Sequence, residues 1–152
     1  MMFGVFAISV GTGKLRVGGA MKDRKVVGTI QAAFAAGIAV WWIAFFLFER
    51  GNPANTPEYL AFESSFPPAD LGWLVPLLAA AAIGNLRGRT WASRLTSMSG
   101  AVLVFLGLLD ASFNLQNGIY ARSLTDGIVN ASINAACLIF GLVSVVWASR
   151  KS

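Results

Sequence analysis

VVGTIQAAFAAGIAVWWIAFFLF, residues 26–48, is an apolar run of 23 residues in which only Thr29 and Gln31 are polar. A helix rising about 1.5 Å per residue crosses the roughly 30 Å hydrocarbon core of a bilayer with that length, allowing for some tilt. Lys22, Arg24 and Lys25 precede the run, and Glu49-Arg50 ends it. The stretch therefore reads as a transmembrane helix flanked by a basic side and an acidic side.

The rest of the chain repeats this pattern. Residues 49–66 carry Gly51, Pro53, Pro57 and three glutamates, which predicts a turn-rich acidic loop. A second span is expected over 67–86, because Pro67-Pro68 can occupy a first helical turn, where no hydrogen-bond donor is lost. Asp70 falls in that turn, where the helix dipole favours a carboxylate. Pro76, in the interior of this span, is expected to kink the helix and free a carbonyl. Arg87, Arg89 and Arg94 mark a short basic connection, after which spans are expected over 95–116 and 128–149, with a tail at 150–152. Residues 1–25 read as an N-terminal segment outside the bilayer, with Met21 a natural alternative start.

Composition agrees with membrane insertion, since 56% of residues are hydrophobic and 12% charged, against roughly 45–50% and 25% in soluble domains. Of 12 Lys and Arg, all but Arg50 and Arg122 lie in Lys14–Lys25, Arg87–Arg94 or the Arg150-Lys151 tail. The positive-inside rule then places both termini in the cytoplasm. The expected fold is an all-α, integral membrane four-helix bundle, with a bacterial plasma (inner) membrane as the expected location and the lipid bilayer as its first partner. The net charge of +5 comes from segments beside apolar runs, not from a patch on a folded surface, so no nucleic-acid partner is expected.

Several chemistries are excluded. The chain has no histidine and one cysteine, Cys137, so Ser–His or Cys–His nucleophilic sites, intrachain disulfides and Cys-based zinc sites are unavailable. No lysine lies in any expected span, which removes a Schiff base within the bundle. No cofactor or metal is expected.

Polarity inside the spans is concentrated near Asp110-Ala-Ser-Phe-Asn-Leu-Gln-Asn117. Helical spacing puts Asp110, Asn114 and Asn117 on one face, continued by Gly107 and Gly100. The fourth span repeats this with Asn130, Asn134, Cys137, Gly141 and Ser144. Asp110 lies about 22 Å along its helix from Leu95. Ionisable groups at such depth normally serve a site. Asp70, Glu63 and Glu49 fall at the same level, as do Trp41, Trp42 and Trp73, so these eleven residues form the candidate ligand-binding set. Carboxylates and amides beside aromatic faces can hold a cation or a hydroxylated ligand. The competing structural reading makes the Asn and Gly stripes helix–helix contacts, and Trp73 an interfacial anchor.

The expected function is binding or passage of a small ligand through an outward-facing acidic and amide pocket, without catalysis. Two alternatives stand beside it: an accessory subunit of a larger membrane complex, and a histidine-free acid–base enzyme acting on a lipid. A small bundle has little room for a wide pore, so passage would require a homodimer or larger assembly.

Overall fold

The computed structural model describes residues 11–151, with side chains described from Met21 onward; the first ten residues of the expected N-terminal segment lie outside the described residues. The described chain is all-helical. Helix α1 spans Gly11–Ala44 and widens into a π-helical turn at Phe45–Glu49. Helix α2 is Pro57–Glu63, and α3, Pro67–Ala69, leads through a π-helical turn at Asp70–Leu74 into α4, Val75–Leu86. Helix α5 is Ala92–Gln116, a 3-10 turn covers Ile119–Ala121, and α6 is Leu124–Ser149.

Four segments are long and apolar enough to cross a membrane: Met21–Glu49, Pro57–Leu86, Ala92–Gln116 and Leu124–Ser149. This is the architecture of a multi-pass membrane protein. Its polarity is inverted relative to a soluble domain. Leu47, Phe48, Phe105, Leu115 and Ile139 are exposed, whereas Gln31, Asn85, Thr96, Asn114 and Asn134 are buried. In water such a surface would far exceed the apolar patches that monomers tolerate; in lipid it needs no cover.

Two differences from the sequence expectation bear on the site. The stretch read as a loop over 49–66 contains α2, begun by Thr56, whose Oγ1 accepts from Tyr59 N at 3.2 Å, with Pro57 in the first turn. Also, Pro76, expected to kink a helix interior, instead stands in the first turn of α4, directly after the π-helical turn. Proline offers no N–H, and a wide turn lets the preceding carbonyls find donors one residue further on.

Helices α1, α4, α5 and α6 pack in that order, each against the next. At the basic end, where Arg87, Arg89, Arg150 and Lys151 lie, α1, α4 and α5 are tied by a buried amide network. Asn85 Nδ2 donates to Gln31 Oε1 at 2.9 Å and Thr96 Oγ1 at 2.8 Å, and Gln31 Nε2 donates to Thr96 Oγ1 at 3.1 Å. Arg24 donates from above to Asn85 Oδ1 at 3.5 Å and to the Arg89 carbonyl at 3.1 Å. Helices α5 and α6 touch backbone to backbone: a Cβ added to Gly100 would stand 2.7 Å from Gly141 O. Long side chains bring α6 round to α1 in the basic half, through a Phe34–Phe140 ring stack at 4.6 Å, Arg24 over Trp147, and a Lys151–Asp23 ion pair at 3.8 Å.

At the opposite end an aromatic cluster of Trp42, Phe45, Tyr59, Phe66 and Ile119 is buried, backed by Phe62 and Phe113, whose rings stack at 3.8 Å. Arg122 fastens it, donating to the Ala54 carbonyl and to Asn55 Oδ1, with its guanidinium 5.8 Å from the Tyr59 ring centroid.

Candidate functional site

Between the aromatic cluster and the Phe34–Phe140 stack lies a cavity of about 520 Å³. Its volume falls within the roughly 300–1,000 Å³ range of small-molecule sites. Its wall is built from α1, α2, α5, α6 and the segment from Phe66 to Leu74. The turn from α2 into α3 turns Glu63 and Phe66 inward, the π-helical turn presents Asp70, and Gly107 on α5 lets Cys137 of α6 close the wall beside it. Helix α6 adds Asn130 and Asn134.

Three carboxyls therefore line one cavity. Asp70 Oδ2 accepts from Trp42 Nε1 at 2.9 Å, which fixes both side chains. Asp110 Oδ2 accepts from Asn114 Nδ2 at 3.2 Å, and Asn134 also stands within reach of this carboxyl. Asn134 gives its own Nδ2 to Tyr120 Oη at 2.6 Å. Glu63 differs from the other two: it is only 7% exposed, and its carboxyl has no hydrogen-bond or cation partner among the described residues. It does face the charges of Asp70 and Asp110. Among the described residues no lysine or arginine lines the cavity, so its ionisable groups are the three carboxyls and the Cys137 thiol. Among the described residues no group of acids converges as metal ligands do.

Of the residues singled out from sequence, Trp41, Trp42, Glu63, Asp70, Asp110, Asn130 and Asn134 line the cavity. Asn114 stands behind Asp110, wholly buried, with its Oδ1 unpartnered. Three others are not brought there. Glu49 is held in its own loop, accepting from Asn55 Nδ2 at 3.0 Å and Asn52 Nδ2 at 3.4 Å, because the π-helical turn carries it past the end of the bundle. Trp73 is 58% exposed, on the outer side of the π-helical turn, as an interfacial anchor would be. Asn117 ends α5, is exposed, and donates to the Phe113 carbonyl at 2.9 Å. Its helical phase matches that of Asp110, but it lies beyond the cavity.

Sequence reasoning missed Phe66, Gly37 and the paired small residues that shape the space. Gly37 shares a helical stripe with Ala33 and Trp41 at four-residue spacing, and that stripe was the available signal. The amide network at the basic end was missed as well, although Gln31 is one of only two polar residues in its apolar run.

The site can bind and orient a ligand through three acids, two amides and aromatic faces, in a setting where the low dielectric strengthens each polar contact. Comparison with protein-family models, with curated proteins and with solved structures gives no match to this chain.

Proposed function

We propose that the protein binds a small ligand with a positively charged or hydrogen-bond-donating head in the cavity formed by Glu63, Asp70 and Asp110. The observation that carries this reading is the buried, unpartnered carboxyl of Glu63 facing two further acids across one cavity. Burying an uncompensated acid is costly, and packing alone would be served as well by a leucine. A donor or cation from a ligand offsets that cost. Trp41 and Trp42 add ring faces, which attract positive charge.

The basic loops and tail support a cytoplasmic position for the amide-network end under the positive-inside rule, and the carboxyls lie in the other half of the bundle. The reading is non-enzymatic: the acids are arranged around a space of ligand size.

Purification in mild detergent followed by native mass spectrometry tests this. Wild-type protein is expected to retain a small molecule that is lost from Glu63→Gln and Asp110→Asn at unchanged protein yield. Equal retention by all three would contradict it.

A further inference from the structure

The wall of the cavity is uneven in one respect: its exposed residues all belong to two helices, Ala33 and Gly37 on α1 and Ile133 and Ala136 on α6. Every lining residue from α2 and α5, and Phe66, Asp70 and Leu74 between them, is buried or half-buried. The aromatic cluster that supplies Phe66 and Trp42 bounds the cavity at the acidic end, with Arg122 as its strap. The Phe34–Phe140 stack bounds it toward the basic end. The open side is thus lateral, between α1 and α6.

The height of this opening decides what it faces. Gly37 is about 18 Å from both Lys25 and Glu49 along α1, and Ala136 is about 18 Å from Leu124, at 1.5 Å per residue. Both sit near the middle of spanning helices, where the surroundings are acyl chains. The rim is also clear of obstruction: a Cβ added to Gly37 would meet nothing within 4 Å, whereas those added to Gly100 and Gly141 would meet backbone below 3 Å. Gly37 is therefore not a packing glycine of this bundle.

We infer that the ligand is a lipophilic amine that reaches the cavity sideways from the bilayer, through the gap between Ala33–Gly37 and Ile133–Ala136. This rests on the reading of the three carboxyls as the ligand's anchor and adds the ligand's chemical class and its route. The ammonium group donates to Glu63, the carboxyl without a partner, while Asp70 and Asp110 add acidic surroundings, with no lysine or arginine in the wall. The hydrocarbon body lies toward the gap, against Phe34, Leu74, Leu103 and Ile133. A wholly water-soluble cation would have to cross hydrocarbon to reach this opening, and a neutral hydrocarbon would leave Glu63 unpartnered.

The test uses full-length protein in phosphatidylcholine nanodiscs, with dodecylamine as probe and dodecanol as its neutral counterpart, followed by tryptophan fluorescence in stopped flow. Dodecylamine is expected to bind at least tenfold more tightly than dodecanol, and Glu63→Gln together with Asp110→Asn to abolish that preference. Gly37→Trp, which places a ring across the gap, is expected to slow both association and dissociation of dodecylamine at least tenfold. Ala136→Phe, on the opposite rim, is the second variant and is expected to slow both steps in the same sense. If the carboxyl variants lose binding but both rim variants bind at the wild-type rate, the lateral route is overturned and the carboxyl site stands. If dodecylamine binds no better than dodecanol, and the carboxyl variants change nothing, the site falls with the route. A dimer abolished by Gly37→Trp, with amine binding at the wild-type rate, would put a second copy over the gap and likewise overturn the route.

Discussion

At the scale of single residues, Asp110 and Asn85 place polar groups inside a helix bundle for opposite purposes. Asn85 is fully satisfied, held between Gln31, Thr96 and Arg24, so its role is to join α1, α4 and α5. Asn85→Ala leaves buried partners unpaired and should cost about 1–3 kcal/mol, read as a shift in unfolding in mixed detergent micelles. An unshifted transition would show that the network is dispensable. Asp110 accepts from the wholly buried Asn114. Asp110→Asn keeps an acceptor for that amide and should leave the empty protein's stability within about 0.5 kcal/mol. Asp110→Leu removes the acceptor and should cost about 1–3 kcal/mol. Equal effects of the two changes would mean that the Asn114 contact contributes nothing.

At the scale of elements, the glycines separate packing from open space. Gly100→Ala drives a methyl into the Gly141 carbonyl and should destabilise by about 1–3 kcal/mol, as overpacking does. Gly37→Ala meets nothing and should be neutral or stabilising by up to about 1 kcal/mol, since alanine is the better helix former. Unfolding of the two variants side by side checks this, and a reversed order would contradict the assignment of the gap. The four long helices were legible in the sequence because a spanning helix must satisfy its backbone within an apolar run of fixed length. Helix α2 was not. Gly51, Pro53, Pro57 and three glutamates read as a turn-rich acidic loop, although an N-cap threonine, a first-turn proline and a first-turn acid at Thr56-Pro57-Glu58 together announce a helix. The partial legibility of the site has the same origin. Helical phase put Asp110 with Asn114 and Asn117, but phase along one helix does not say where a cavity ends, and Asn117 lies beyond it. Trp73 stands at the right level and on the wrong side, and Glu49 lies past the end of the bundle; two π-helical turns, at Asp70–Leu74 and Phe45–Glu49, carry them. Such turns have no clear sequence signature apart from the nearby Pro76.

At the scale of the whole molecule, orientation and the cavity are coupled: if the basic end is cytoplasmic, the acids lie in the opposite half. In a Cys137→Ala background, Ala54→Cys should react with an impermeant maleimide from outside intact cells and Thr90→Cys should not; the reverse pattern would invert the orientation. The central claim is that Glu63, Asp70 and Asp110 act together as an anchor for a cationic head. The most direct measurement is the shift in midpoint temperature that saturating dodecylamine gives to the wild-type protein and to the Glu63→Gln, Asp110→Asn double variant. A ligand at a hundred times its dissociation constant stabilises by about 2.7 kcal/mol. The expected result is a shift of several degrees in the wild type and little or none in the double variant, whose empty form melts close to the wild type. Equal shifts in both proteins would contradict the claim.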